Sequence, residues 1–331
     1  MLNVLPTAQD VEAAQERLRD WLIQTPVLES ELVNERVGAR VLLKVESLQH
    51  GGSFKLRGAL NRLLQLSSDE RDAGIVAFSS GNHAQSVALA AKWLGIEATI
   101  VMPRDAPRIK QHRAAAWGAQ LVLYDRERED REQIAVRIAE QHGAALIPPF
   151  DHPDVIAGQG TVGAELARAA YTRKVKLDAL YVPCSGGGLA AGTALAIEPF
   201  FPDCEIYAVE PEGYDDLEQS LAAGDRRMLH AQPPTLCDAL RAPTPGAITF
   251  AINRRRLAGA VTVGDSGVLR AMAIAARDLK LVLEPSGAAG LAAVLEQPQR
   301  GRRCIGVILS GGNVDPEILA RALSAYPDAP A

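Results

Sequence analysis

The chain has 331 residues, of which 47% are hydrophobic and 23% are charged, as in ordinary globular proteins. Its formal net charge of −5 argues against nucleic acid or an anionic membrane as the main partner. No apolar run is long enough to span a membrane, and residues 1–10 lack the features of a signal peptide. We therefore expect a cytoplasmic protein built as two domains or one large α/β unit.

The first half of the chain alternates predicted helices with predicted strands. Residues 8–24 have the apolar spacing of an amphipathic helix, which Thr25-Pro26 ends. The predicted strands that follow cover residues 41–45, 74–78, 98–103, 120–124 and 144–147. The predicted helices between them cover residues 59–64, 84–94, 107–117 and 131–141. Short strands that alternate with ten-residue helices are typical of βαβ units on a parallel sheet.

The same alternation resumes in the second half, after a predicted loop at residues 148–158. The predicted strands there cover residues 180–183, 205–209, 259–263 and 305–309. The simplest architecture for this pattern is α/β, with two parallel sheets and a cleft between them.

Lys55 lies where a glycine-rich turn meets a predicted helix, within residues 51–59 (GGSFKLRGA). The positive end of a helix dipole lowers the pKa of an ammonium group placed there and favours the neutral amine. A neutral amine is what covalent chemistry with a carbonyl requires. A solvated lysine at the start of a helix is the alternative interpretation.

Three predicted strands end in turns rich in serine and glycine, at residues 79–85, 183–192 and 309–313. Ligands of open parallel sheets bind beyond the carboxyl ends of the strands. The first turn can cap a helix or bind a carboxylate, and the second can hold a phosphate on its backbone N–H groups. A hydroxyl in the third turn, that of Ser310, can hydrogen-bond a neutral ring nitrogen.

The second turn also supports a different class of enzyme. Residues 186–191 satisfy a loose G-x-G-x-x-A dinucleotide pattern, with Glu210 near the distance expected of a ribose ligand. A nicotinamide-dependent oxidoreductase is therefore an alternative, although it gives Lys55 no task.

These turns, in this order, resemble those of the fold-type II pyridoxal-phosphate enzymes. The similarity is greatest to the serine/threonine dehydratases (threonine ammonia-lyases) and serine racemases, and it covers nearly the whole chain. Its motifs are residues 52–59, 79–83, 157–161 and 284–288. The resemblance implies a two-domain α/β fold like that of the tryptophan synthase β chain, with the cofactor in the cleft between domains. Residues 1–52 and 149–331 would form the large cofactor-binding domain, and residues 53–148 the small domain.

The resemblance also implies a role for each motif residue. Lys55 would bind pyridoxal phosphate covalently and act as one acid/base, and Phe54 would pack on the ring. Asn82 would hydrogen-bond the phenolic oxygen, and Ser310 would contact the ring nitrogen. The phosphate would bind to backbone N–H groups of Ser185, Gly186, Gly187, Gly188 and Leu189. The substrate carboxylate would bind to the turn formed by Ser79, Ser80, Gly81, Asn82 and His83.

The implied reaction converts L-threonine or L-serine to a 2-oxo acid and ammonia. Ser80 would be a second acid/base on the opposite face of the ring, as in serine racemases, so racemisation of serine is an alternative. Arg131 would suit a second carboxylate, which makes a 3-hydroxyaspartate dehydratase another alternative. A surface arginine is the structural explanation for the same residue.

Residues 210–216 resemble the divalent-cation loop of the same branch of the family. Glu210 and Asp216 would supply carboxylates and Tyr214 its carbonyl oxygen, a ligand set that suits Mg²⁺ or Ca²⁺. A solvated acidic loop is the alternative. The resemblance further implies a homodimer that acts on a small amino acid.

Overall fold

The computed structural model describes residues 5–79, 81–106, 108–125, 127–231, 233–297, 299 and 301–327. Its strands are β1 Val27–Leu28, β2 Arg40–Val45, β3 Ile75–Phe78, β4 Ala98–Pro103, β5 Gln120–Tyr124, β6 Ala145–Leu146, β7 Ala179–Pro183, β8 Glu205–Pro211, β9 Gly259–Val263 and β10 Cys304–Leu309. Its α-helices are α1 Ala8–Leu18, α2 Glu31–Val37, α3 Lys55–Leu63, α4 Ser68–Ala73, α5 Asn82–Leu94, α6 Arg108–Ala116, α7 Arg131–His142, α8 Pro153–Thr172, α9 Gly188–Ile197, α10 Asp216–Ala223, α11 Ala247–Arg256, α12 Asp265–Ile274, α13 Pro285–Glu296 and α14 Pro316–Ala325.

The larger of two sheets has six strands in the order β1-β2-β10-β7-β8-β9. β1 pairs antiparallel with β2, and every other neighbouring pair is parallel. β7 and β10 are buried along their whole length, as expected of parallel strands that helices cover on both faces.

The smaller sheet has four parallel strands in the order β5-β4-β3-β6. A separate apolar core lies around it, formed mainly by side chains of α3, α5, β3 and β4. The predicted α/β class with two parallel sheets is therefore confirmed. None of the helices in the described residues is long and apolar enough to cross a membrane.

The strand order places the three serine- and glycine-rich turns at carboxyl ends of strands. One turn follows β3 in the smaller sheet, and the other two follow β7 and β10, which are neighbours in the larger sheet. α3, which begins at Lys55, packs against α8 beside the larger sheet and against α5 beside the smaller one. The turns and Lys55 are thereby brought to the junction of the two sheets.

The predicted loop at residues 148–158 is wrong in its second part, because α8 begins at Pro153 and runs on to residue 172. Glycine is a poor helix former, so Gly158 and Gly160 favoured a loop in the sequence. In the structure they permit close helix packing. A Cβ atom on Gly160 would lie 2.7 Å from the carbonyl oxygen of Gly192 in α9.

The first helix also ends earlier than predicted, at residue 18 instead of 24. The backbone of Ile23 is held by the side-chain amide of Gln49 instead of by a helical turn. Its N–H donates to Gln49 Oε1 over 3.2 Å, and its carbonyl accepts from Gln49 Nε2 over 2.8 Å. This partner is 26 residues away in the sequence, so no local pattern indicates it.

The domain boundaries at residues 52/53 and 148/149 stay a prediction. The larger sheet takes its strands from residues 27–45 and 179–309, and the smaller sheet from residues 75–146.

Candidate active site

Lys55 is the first residue of α3, behind two glycines that make the turn. Gly51 and Gly52 have φ values of 73° and 74°, which side chains with a Cβ rarely adopt. A Cβ on Gly52 would also lie 2.6 Å from Asn313 Oδ1. The turn directs the Lys55 side chain inward, where Nζ donates to the carbonyl oxygen of Pro149 over 2.8 Å.

Burial lowers the pKa of Lys55 to about 8. The direction is the one predicted from the sequence, but its cause is the loss of solvent around the amine. Near neutral pH a usable fraction of Lys55 is therefore the neutral amine. Phe54 lies beside it, with its ring centroid 5.0 Å from Nζ.

The turn after β7 runs directly into α9. The first N–H groups of a helix have no partner within it, so Gly188 and Leu189 present free donors at the positive end of α9. The Ser185 hydroxyl is already used, since it accepts from the N–H of Ala242 over 3.1 Å.

All three glycines of this turn are crowded by other side chains. A Cβ on Gly187 would lie 2.6 Å from Asn253 Nδ2, and one on Gly188 would lie 2.5 Å from Gln159 Oε1. A Cβ on Gly186 would overlap the ring of Phe150. Packing therefore requires more glycines here than the one or two allowed for in the sequence, and the same absence of side chains leaves the N–H groups open.

The turn after β3 leads into α5, whose first residue is Asn82. The Ser79 hydroxyl accepts from the N–H of Gly81 over 3.1 Å. His83 is turned into the protein, with Nε2 2.9 Å from the carbonyl oxygen of Ile147. Since a carbonyl only accepts, this nitrogen carries the proton. Ser80, the predicted second acid/base, lies outside the described residues.

His83 is a neutral imidazole. Burial lowers its pKa to about 3, and the positive charge of Lys55 adds to the effect. Its side chain is therefore a structural part of the turn, and the turn's remaining groups are the candidates for holding an anion.

Asn82 bridges three segments of the site. Its Nδ2 donates to Glu284 Oε1 over 2.6 Å, and its Oδ1 accepts from Asn313 Nδ2 over 2.8 Å. An amide nitrogen has two protons, so one remains for a ligand. Ser310, also buried, lies in the same region and bonds through its carbonyl oxygen to the N–H of Phe54 over 3.1 Å.

Two adjoining cavities connect these groups. The inner one, of about 40 Å³, is lined by Phe54, the Ser185–Leu189 turn and Ser310. The outer one, of about 160 Å³, is lined by Ser79 and Arg131. Both cavities are lined by Lys55, Asn82, Phe150, Ser185, Ala239 and Glu284. The sequence-predicted site residues that the structure describes, apart from the acidic loop, are thus brought around one cleft.

Arg131 opens α7 and reaches the cleft from the side of the smaller sheet, as the resemblance predicted. Its guanidinium lies 5.8 Å from the centroid of the Phe78 ring. The position leaves its charge facing the outer cavity.

Four residues of the cleft had no role in the sequence analysis: Phe150, Asp238, Arg241 and Glu284. Glu284 opens a recognised motif, and that was the one available signal. Arg241 lies in the irregular segment between α10 and α11, where no periodicity shows which side chains face inward.

The acidic loop after β8 holds two buried carboxylates. The Glu210 oxygens accept from the N–H groups of Leu217 and Glu218, each over 3.0 Å. Asp216 Oδ2 is buried and has no hydrogen-bond partner in the described part of the chain. Burial raises the pKa of Asp216 to about 7 and that of Glu210 well above its usual value. Such a pair fits a cation, and with Tyr214 it remains the predicted Mg²⁺ or Ca²⁺ site.

The same geometry bears on the oxidoreductase alternative. Residues 186–191 do follow a strand and open a helix, as a dinucleotide pattern requires. Glu210, however, is fully buried and holds the start of α10, so it is not placed to bind a ribose.

Comparison with known proteins identifies relatives across the chain. The family model described as pyridoxal-phosphate dependent enzyme matches residues 18–311. The L-threo-3-hydroxyaspartate ammonia-lyase of Saccharomyces cerevisiae is 44% identical over 99% of both chains. The serine racemase of Schizosaccharomyces pombe is 44% identical over 97% of this chain and 98% of its own.

Solved structures agree with these relatives. Maize serine racemase is 38% identical, with a TM-score of 0.90 over 98% of both chains. The serine racemase of Dictyostelium discoideum is 36% identical, with a TM-score of 0.87 over 94% of this chain and 99% of its own. A bacterial-type threonine deaminase is 44% identical, with a TM-score of 0.88 over 94% of this chain and 99% of its own.

Proposed function

The chain belongs to the family of pyridoxal-phosphate dependent enzymes, and we propose that it is an ammonia-lyase for L-β-hydroxy amino acids. The observation that carries this proposal is the cleft itself. An amine with a pKa of about 8, that of Lys55, shares one cleft with an anion-binding turn after β3 and an N–H-rich turn after β7.

The residues present fit the family's cofactor. The open N–H groups at the start of α9 suit its phosphate. Lys55 is an amine whose hydrogen-bond partner here is a single carbonyl oxygen, and Asn82 has an N–H to spare. Ser310 supports the same fit from the neighbouring turn, because a hydroxyl hydrogen-bonds a ring nitrogen without requiring that nitrogen to be protonated.

When bound, pyridoxal phosphate supplies an aldehyde for the substrate amine and a ring that accepts electrons from the α-carbon. The chain supplies orientation and proton transfer. The turn at Ser79–Asn82 binds the α-carboxylate and holds the α-carbon before Lys55. Lys55 Nζ, with its lowered pKa, takes the α-proton. The β-hydroxyl then leaves, and hydrolysis of the released product yields a 2-oxo acid and ammonia.

L-Threonine, L-serine and L-threo-3-hydroxyaspartate are the substrates that this site supports. Arg131 favours the third, because its guanidinium lines the outer cavity and can pair with a second carboxylate. The relative from Saccharomyces cerevisiae, named for that substrate, gives further support.

Serine racemisation is the second candidate activity. It is supported by the 44% identity to the serine racemase of Schizosaccharomyces pombe and by a serine at position 80. A hydroxyl on the opposite side of the α-carbon from Lys55 would deliver a proton to the other face. We further propose that the chain works as a homodimer.

The test is a visible absorption spectrum of the purified protein before and after borohydride, followed by assays of 2-oxo acid and of product chirality. We expect a yellow protein whose cofactor mass becomes fixed on Lys55 after reduction. L-Serine, L-threonine and L-threo-3-hydroxyaspartate should each release 2-oxo acid, and a Lys55→Ala variant should fold but turn none of them over. Normal turnover by that variant would refute the role of Lys55, and a wild-type protein inactive on all three would refute the proposed function.

A further inference from the structure

We propose that Arg241 is a specificity-determining residue that binds the side-chain carboxylate of a dicarboxylic β-hydroxy amino acid, in a position set by Tyr214. The inference rests on the proposed function, whose substrate preference it explains. It does not depend on a cation in the acidic loop.

Arg241 reaches the same outer cavity as Arg131, but from a different part of the molecule. Arg131 comes from α7 beside the smaller sheet, whereas Arg241 comes from the segment between α10 and α11 beside the larger one. Both side chains are exposed, so a ligand in the cavity can contact them. A substrate anchored by its α-carboxylate at the turn after β3 therefore meets a guanidinium contributed by each part.

The Arg241 side chain is held in place by a buried tyrosine. Its Nε donates to the Tyr214 hydroxyl over 2.9 Å, and its guanidinium carbon lies 5.6 Å from the centroid of the Tyr214 ring. Tyr214 is only 1% exposed and donates in turn to the carbonyl oxygen of Pro233 over 3.0 Å. Such bracing reduces the conformational entropy that Arg241 would lose on binding an anion.

The bracing uses Nε and leaves the end of the guanidinium available. In the described part of the chain, the hydrogen bond to Tyr214 is the one that Arg241 makes. The two terminal nitrogens carry four N–H groups that can form the paired hydrogen bonds by which arginine binds carboxylates. A neutral side chain, such as that of threonine, offers no partner for this charge.

Tyr214 allows the position of Arg241 to be changed without removing its charge. Replacement by phenylalanine keeps the ring and the backbone carbonyl of the acidic loop but deletes the hydroxyl that accepts from Arg241. Arg226 provides a matched control, since it is an exposed arginine of the same segment whose Nε donates to the carbonyl oxygen of Pro245 over 2.8 Å.

The experiment measures kcat and KM of the holoenzyme with L-threo-3-hydroxyaspartate and with its neutral isostere, L-threo-3-hydroxyasparagine. We expect Arg241→Gln to lower kcat/KM for hydroxyaspartate at least tenfold more than for hydroxyasparagine, mainly through KM. Arg241→Lys should recover part of the loss, and Tyr214→Phe should show about a threefold loss confined to the dicarboxylic substrate. Arg226→Gln should match the wild type.

Two results would overturn the inference while leaving the proposed function intact. One is an equal loss on both substrates in Arg241→Gln, which would indicate a structural role. The other is a wild-type enzyme that turns over L-threonine but discriminates against hydroxyaspartate. A wild type inactive on all β-hydroxy amino acids would overturn the proposed function and this inference together.

Discussion

At the scale of single residues, His83 couples the site to acid stability. Its pKa of about 3 lies below the ordinary value of 6.5 because the imidazole is buried beside Lys55. Between these pH values the unfolded chain binds a proton that the folded chain does not. The free energy of unfolding therefore falls as the pH drops from about 6.5 towards 3, by up to about 1.4 kcal/mol per pH unit from this residue.

We predict that His83→Gln makes acid destabilisation less steep, because glutamine can donate to Ile147 without titrating. The measurement is urea unfolding of wild type and variant at pH 7, 6, 5 and 4. His142→Gln, an exposed histidine at the end of α7, is the control and should leave the pH profile unchanged. Parallel profiles for wild type and His83→Gln would show that the burial of His83 does not matter.

The sequence predicted Lys55 but not its environment. The spacing of glycines and apolar residues placed Lys55 at a helix start, and the structure agrees. Its hydrogen-bond partner, Pro149, is 94 residues away, and Arg241 faces the cleft only because a buried tyrosine holds it. Contacts at such sequence distances depend on the packing of whole elements, so local patterns cannot indicate them.

At the scale of elements, the packing of α8 on α9 fixes the turn before α9. A Cβ on Gly192 would lie 2.6 Å from the N–H nitrogen of Gly160 and would overlap the carbonyl oxygen of Ile156. We predict that Gly192→Ala lowers the free energy of unfolding by about 2 kcal/mol, since overpacking of close contacts typically costs 1–3 kcal/mol. Denaturant unfolding of the apoprotein measures this directly.

Gly259→Ala is the control for this substitution. A Cβ on Gly259 would lie 3.7 Å from the Tyr207 ring, which is an ordinary contact, so a change within about 0.5 kcal/mol is expected. Equal effects of the two substitutions would contradict the close approach of α8 and α9. The same close approach explains why the sequence predicted a loop where α8 begins, since its glycines serve a neighbour that the sequence does not show.

The acidic loop between β8 and α10 gives a prediction on metal removal. Glu210 and Asp216 are buried together, and a cation would replace the protons that their raised pKa values otherwise retain. We expect Mg²⁺ or Ca²⁺ to raise Tm and EDTA to lower it. The gain should be larger at pH 8 than at pH 5.5, because protons compete for Asp216 below its pKa of about 7.

Thermal scans with and without EDTA, at both pH values, measure this effect. Asp216→Asn should abolish the response to cations, whereas Asp225→Asn, at an exposed position after α10, should keep it. A wild-type Tm that is indifferent to cations and EDTA at pH 8 would exclude the predicted metal site.

At the scale of the whole molecule, the alternation of strands and helices was enough to predict two parallel sheets. It was not enough to predict their strand orders, because β2 and β10 pair although more than 250 residues separate Arg40 from Cys304. Such pairing depends on which helices pack between the strands. The helix that joins the two sheets, α3, illustrates this dependence.

α3 is tied to the larger sheet by a buried network of four charged side chains. Arg57 donates to Glu46 Oε2 and to Glu165 Oε1, each over 2.7 Å, and Lys44 pairs with Glu165. Burial lowers the pKa of Lys44 and, by itself, that of Arg57, but the two carboxylates raise the pKa of Arg57 above its usual value. The network therefore keeps Arg57 charged two residues from Lys55.

We predict that Arg57→Met lowers the free energy of unfolding by about 3–5 kcal/mol, because it leaves two buried carboxylates with one ammonium group. Lys176→Met, which breaks an exposed pair with Asp203, is the control and should cost about 1 kcal/mol or less. Denaturant unfolding of the apoprotein compares the two.

The double variant Arg57→Met/Glu165→Gln tests whether charge balance, and not the volume of Arg57, causes the loss. It leaves Lys44 and Glu46 as a neutral pair 3.8 Å apart, so it should be more stable than Arg57→Met alone. A double variant less stable than either single one would show that packing dominates. Recovery would show that the joint between the two sheets is electrostatic, because removing a second interaction restores stability only when the first removal left a charge unpaired.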